Sequence, residues 1–322
     1  MRGPAGREGR FLTEAGGFLD QPLGGPAERS GHRCHSSPVP DRDRPPPHLH
    51  LVKYQALGND YLVVDLPDSI GGLPELAVRL CDRHLGIGAD GLLAFDPDRL
   101  ALRVFNPDGS EAEKSGNGLR IAACHAVLEH GAGGEFRVST RDRSNVVRIL
   151  AVDEGEVASE VEMGNPVFDP DDWVLIETPA GRVHCRLVSV GNPHCVVFDE
   201  PVSEERCREL GPLLERNPRF PQRTNVQLVE VLDPGRARIE IWERGAGHTL
   251  ASGSSAAAAA AVLIHLGRTQ PEVEMMMPGG SLQVRQLPSG SLLQAGPARR
   301  VFRAEVDPAD LDHLDGTGRL HD

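Results

Sequence analysis

The 322-residue sequence has no apolar run of membrane-spanning length and a mean hydropathy of -0.30, which together indicate a soluble chain. It also lacks positive charge. A formal net charge of -13 and a pI near 5.5 argue against nucleic acid or an anionic membrane surface as a partner. Its six cysteines form no C-x-x-C pair and no short regular spacing. That fits reduced thiols in a cytoplasmic protein better than a disulfide frame or a zinc site. The thirteen histidines include no H-E-x-x-H or comparable cluster, so no metal is expected. A glycine-rich loop at 86–91 lacks both the Gly-Lys-Ser/Thr of a phosphate loop and the spacing of a dinucleotide fingerprint.

The patterned part of the chain begins near residue 48. Residues 1–47 are rich in Gly, Pro, Arg, Ser and His without sustained periodicity. They read as disordered, or as an extension from an over-called start codon, and no apolar segment in them makes a secretory signal. Strands are expected at 51–54, 61–65, 102–105, 157–162, 183–190, 195–198 and 238–242. Helices are expected at 74–84 and 201–214, the second beginning around Ser203, Glu204 and Glu205.

The most informative stretch is 242–266. A strand runs into Glu243 and Arg244, breaks on Gly245 and Gly247, and re-forms as a helix near Ser254 ahead of six alanines. A helix start supplies free N–H groups and a positive dipole end, suited to a carboxylate. A helix that is thin and apolar all round is stable only when other elements wrap it. The first half repeats the arrangement: a strand, a polar turn, then Ser115-Gly116-Asn117-Gly118 opening a second small-residue helix that runs to about His130. Ser115 and Ser252 lie 137 positions apart. Two similar units in two halves suggest a duplication with a site in the cleft between them.

Six segments occur in one order: ALGNDYLVVD (56–65), NPDGSEAEKSGNGLR (106–120), VSVGNPHCVV (188–197), RTNVQ (223–227), ERGAGHTLASGSS (243–255) and PGG (278–280). Together they resemble the diaminopimelate epimerases, over roughly residues 50 to 305. The resemblance implies an α/β (α+β) fold of two pseudo-symmetric domains, each a curled sheet wrapped round a central helix. The expected boundaries are 48–162 plus 299–308 for one domain and 163–298 for the other, with a loose tail at 309–322. It implies a cofactor-independent isomerase that inverts an α-carbon by proton removal and return, as in the conversion of LL- to meso-diaminopimelate for lysine biosynthesis. Its partner would be a small-molecule amino acid, with a homodimer left open.

In that family two cysteines, each at a helix N-terminus, carry the proton. Here both positions are serine, Ser115 and Ser252. The carboxylate-cradling backbone falls on Gly116, Asn117, Gly253 and Ser254, and contacts to the distal amino-acid end fall on Asn59, Asn106, Asn192, Asn225, Glu243 and Arg244. His194 keeps its place in the Gly-Asn-Pro-His turn. His248 stands where the family usually has glutamate, and Gly91 where some members carry glutamine. A thiol near pKa 8.5 can be tuned into range by a helix end, whereas a serine hydroxyl needs an adjacent base. His248, four residues before Ser252, is the expected helper. Three readings follow: an epimerase of diaminopimelate or a close diamino acid, a related racemase with another substrate and base, and a binding protein that kept the pocket without the chemistry.

Overall fold

The computed structural model describes residues 48–66, 72–112, 115–141, 143–171, 173–198 and 201–307. The extension at 1–47, the tail at 309–322, and Glu113 and Lys114 before the first serine lie outside them. Four helices occur among the described residues: α1 (Leu73–Cys81), α2 (Gly116–His130), α3 (Glu204–Glu215) and α4 (Gly253–His265). Pro74 sits in the first turn of α1, where its missing N–H costs nothing. The expected helix at 74–84 stops at Cys81 because the Asp82 carboxylate accepts from the N–H groups of His84 and Leu85, both at 2.7 Å, and turns the chain. The helix expected at 201–214 starts at Glu204, with Ser203 as its cap accepting from the Arg206 N–H at 3.2 Å.

Seventeen strands among the described residues belong to one hydrogen-bonded sheet. Sequence periodicity misses several of them, among them Gly91–Asp96, Glu135–Thr140, Arg143–Asp153 and Val174–Thr178. The first is a short, continuously buried run directly after a glycine loop, without alternation to mark it. The C-terminal strand Leu292–Val306 joins the two halves. It pairs antiparallel with Leu49–Ala56, with Glu156–Gly164 and with Gly280–Gln286.

The sheet curls round α2 and α4. Strands Leu49–Ala56, Glu156–Gly164 and Leu292–Val306 pack on α2, and strands Gly181–Ser189, Pro193–Val197, Asn225–Asp233 and Gly280–Gln286 pack on α4. Ala256 through Leu263 are all fully buried, as are Ile121 through Cys124 and Ala126. Alanine has the best helix propensity and the smallest side chain, so strands approach α4 from every side without leaving voids. Cys81, Cys124, Cys185, Cys195 and Cys207 are free thiols, all buried. Cys195 lies within the strand Pro193–Val197.

The N-termini of the two wrapped helices abut. A Cβ on Gly253 would lie 3.1 Å from the Gly116 Cα and 2.7 Å from the Gln294 Oε1. Gly253→Ala is therefore expected to cost about 1–3 kcal/mol, the usual range for overpacking, read as a lower midpoint in urea unfolding. An unchanged midpoint would show that the two helix starts have room between them.

Candidate active site

A cavity of about 590 Å³ opens where the two helix starts meet. Ser115, Gly116 and Asn117 line it from α2, and Ser252, Gly253 and Ser254 from α4. Both serines are N-caps in extended backbone conformation. The Ser115 hydroxyl accepts from the Gly118 N–H at 2.9 Å, and the Ser252 hydroxyl from the Ser255 N–H at 3.5 Å. The other N–H groups of each first turn have no partner inside their helix, and both dipoles point their positive ends at the cavity. Paired helix starts of this kind are suited to an anion.

A fully buried cation holds the two starts together. Arg120, one turn into α2, donates to the Asn117 Oδ1 and to the Gln294 Oε1, each at 2.7 Å. Gln294 in turn donates to the Gly253 carbonyl at 2.7 Å. Burial pushes the Arg120 guanidinium down to about 10, still well above neutrality. Asn117 also donates to the Asn59 Oδ1 at 2.9 Å and to the Ala251 carbonyl at 3.4 Å, so it contacts both halves.

The two serines have different neighbours. Ser252 donates to the Glu243 Oε2 at 3.2 Å, and Glu243 also accepts from the Thr249 hydroxyl at 2.9 Å. Burial raises the Glu243 carboxyl above the ordinary carboxylate range, against those two hydrogen bonds, which favour the charged form. Ser115 instead lies 3.4 Å from the Tyr61 hydroxyl. Burial drives the Tyr61 phenol above its usual value, so it stays protonated. One hydroxyl faces a carboxylate and the other a phenol.

His248 does not assist Ser252. Its Nε2 lies 2.8 Å from the Glu240 carboxylate and its Nδ1 3.3 Å from the Arg208 guanidinium, and it is not part of the cavity wall. The reason is strand alternation. His248 pairs across the ladder with Trp242, so it shares the face of Trp242 and Glu240 rather than that of Glu243. Four residues of separation would bring two side chains together on a helix, but this segment is a strand, Gly247–Thr249.

Asn59, Asn106, Asn192, Glu243 and Arg244 all line the cavity. Asn225 does not; it accepts from the Arg244 N–H at 3.0 Å and donates to the Pro193 carbonyl, and so positions Arg244 from behind. Asn192 is aligned by His194, whose Nε2 lies 2.9 Å from its Oδ1. Sequence reasoning missed Asp90, which accepts from Asn59 at 2.7 Å, and Arg83, which bridges Asp60 and Asp90 at 2.8 and 2.7 Å. It also missed Glu215, which accepts from the Trp242 indole and the Gly245 N–H and so sets the turn after Arg244. These partners come from distant segments and carry no local pattern.

The family model described as diaminopimelate epimerase matches residues 51–168 and 186–301. The chain belongs to the diaminopimelate epimerase family. It is 40% identical over 276 residues to the diaminopimelate epimerase of Xylella fastidiosa strain M12, covering 79% of this chain and 95% of that one. It is 43% identical over 253 residues to diaminopimelate epimerase 2 of Nostoc sp., covering 74% and 88%. Solved structures at lower identity share the fold. A hydroxyproline epimerase from Agrobacterium vitis, with bound trans-4-OH-L-proline, superposes with a TM-score of 0.60 at 16% identity, covering 82% of this chain and 94% of that one. A PhzF-family phenazine biosynthesis protein from Bacillus anthracis gives a TM-score of 0.62 at 16% identity, over 80% and 99%. This member of the epimerase family therefore presents serine at both helix starts, within the family's wrapped-helix frame.

The raised Glu243 carboxyl gives a pH signature. The folded chain binds that proton more tightly than the unfolded chain does. Its contribution to stability is full below the unfolded carboxylate pKa and is lost as pH rises through the raised value. Glu243→Gln removes this loss. The melting temperature of the variant relative to the parent is expected to shift in the variant's favour as pH rises above the ordinary glutamate pKa of about 4.3. A difference constant over that range would mean that Glu243 titrates as an ordinary exposed carboxylate.

Proposed function

We propose that this cleft binds diaminopimelate or a closely related diamino acid and exchanges the proton on its α-carbon. One observation carries the reading: two serine-capped helix N-termini meet in a single cavity whose wall also holds Asn59, Asn106, Asn192, Glu243 and Arg244. The helix ends take the α-carboxylate and stabilise the negative charge that develops when the α-proton leaves. Arg244 and the asparagines take the distal carboxylate and ammonium. Ser252 relays the departing proton to Glu243, whose raised pKa brings it closer to the range useful for general base catalysis. Ser115 returns a proton from the other face, its oxygen then held by the Gly118 N–H and the Tyr61 phenol.

The same reading divides the described chain into two lobes centred on α2 and α4, at the boundaries the sequence gives. It needs no cofactor, and it keeps the chain in the cytoplasm, as buried free thiols allow. A homodimer belongs to it as an assembly to be measured by sedimentation. A second reading, a binder without chemistry, draws on the fact that both hydroxyls are engaged as helix caps.

Proton NMR of LL- and meso-diaminopimelate in heavy water separates these readings. The parent should exchange the α-proton more slowly than a double Ser115→Cys, Ser252→Cys variant, and exchange should outrun full inversion because only Ser252 has a carboxylate beside it. Glu243→Gln should lower exchange at least about 100-fold, the lower end of a general base contribution, while His248→Gln should match the parent. If diaminopimelate binds and only the double-cysteine variant exchanges, the chain is a binder. If the double-cysteine variant neither binds nor exchanges it, the substrate assignment fails.

A further inference from the structure

At the far end of α2 from the serine, three side chains with metal-ligating atoms converge. The His125 Nε2 lies 2.9 Å from the Asp65 Oδ1, and the His130 Nε2 lies 3.2 Å from the Asp65 carboxylate. One ligand atom from each of the three lies within 4.8 Å of the others. Tetrahedral zinc with bonds of about 2.0–2.1 Å places its ligand atoms about 3.3 Å apart. Two of the three separations are thus close to those of an occupied site already.

The surroundings are those of a built ligand set. His125 is buried, and Phe95 meets its ring edge-on at a centroid distance of 5.4 Å, which fixes the plane of the imidazole. Its other nitrogen, Nδ1, lies 3.0 Å from the buried Tyr54 hydroxyl, which donates onward to Glu129 at 3.4 Å. A histidine that binds metal through one nitrogen and is held through the other by a hydroxyl–carboxylate chain has the outer-shell arrangement that orients metal ligands. Burial raises the Tyr54 phenol, so it remains a neutral hydrogen-bonding group. On the open side, His130 and Asp65 are only partly covered, so solvent reaches the cluster.

We propose that Asp65, His125 and His130 form a site for a divalent transition metal of the zinc class. Two imidazoles and one carboxylate suit Zn²⁺, Co²⁺ or Ni²⁺ rather than Mg²⁺ or Ca²⁺. The site is separate from the cleft. His130 is the last residue of the 15-residue helix that Ser115 caps, about 20 Å away at 1.5 Å per residue. Its role is structural: it ties the C-terminal turn of α2 to the strand Asn59–Asp65, whose other end carries Asn59 into the cleft. Histidine spacing gives no hint of it, because His125 and His130 are five positions apart on a helix and Asp65 is sixty positions from His125.

The test is calorimetric titration of the full chain with Zn²⁺, repeated with Co²⁺ to read the visible bands of a bound ion. Four variants are compared with the parent. His130→Ala and Asp65→Asn, both at partly exposed positions, should weaken binding at least about tenfold, and Tyr54→Phe about 10- to 100-fold, the cost of losing an outer-shell partner. A paired His32→Ala, His35→Ala variant in the N-terminal extension should bind as the parent does. Zn²⁺ should also raise the melting temperature of the parent and not that of His130→Ala. Absence of binding by the parent overturns the proposal. So does binding that His130→Ala leaves intact, or binding lost only in the His32, His35 variant.

Discussion

Two helix N-termini pressed together, glycine against glycine, are the constraint on which the rest of this structure depends. Like poles meet there. Two half-charges brought into contact repel, the more strongly the less water lies between them. Arg120 adds a full positive charge, completely buried, and it donates to the amide oxygens of Asn117 and Gln294 and to the Gly116 carbonyl. The fold tolerates this because the amide oxygens of Asn117 and Gln294 accept from the two terminal nitrogens of the guanidinium, and because the sheet wraps both helices on all their buried faces. The potential left over belongs to the cavity, where an anion relieves it. A carboxylate bound there gains from both helix ends at once, and so does the enolate-like charge that forms when an α-proton is lost.

Serine at the two helix starts changes the balance between stability and chemistry. It is among the strongest N-cap residues, because its oxygen accepts from the first-turn N–H groups, as both hydroxyls do here. A thiol caps less well but is a far better acid. In the proposed reaction, serine in place of a thiol leaves the proton-handling burden to the neighbours. On one side that neighbour is Glu243, a carboxylate that burial has made more basic. On the other it is Tyr61, which burial has made less acidic and which can only hold a proton in place. The pseudo-symmetry of the frame does not extend to the acid–base groups beside the two hydroxyls.

What the sequence revealed and what it hid follow from the range of the interactions concerned. Ser115-Gly116 and Ser252-Gly253 were legible because capping is local: a hydroxyl, a glycine and a run of small residues are enough to mark the start of a wrapped helix. Glu243 and Arg244 were legible because they end a strand at a glycine turn. His248 misled because nearness in sequence across a glycine-rich turn was taken for nearness in space, whereas strand alternation puts it on the face of Trp242. Asn225 has the expected amide chemistry but spends it on the Arg244 backbone. Arg120, Gln294, Asp90 and Glu215 were invisible for a simpler reason. Gln294 stands 174 residues from the arginine it binds, and no pattern in one sequence reports such a pair.

Gln294 shows how the distant parts are kept in step. It sits on Leu292–Val306, the strand that pairs with Glu156–Gly164 beside α2 and with Gly280–Gln286 beside α4. Within those ladders it lies opposite Val161 on one side and Val284 on the other. Side chains alternate along a strand, so a slip of one residue in either ladder would turn Gln294 away from the helix starts and bring Leu293 or Ala295 in its place. Arg120 would then lose an acceptor in a fully buried site, and the Gly253 carbonyl would lose its donor. A buried charge left unpaired is among the most costly faults a core can contain. The register of the sheet and the meeting of the two helices thus specify each other: the ladders place the amide, and the amide's two hydrogen bonds are made only in that register.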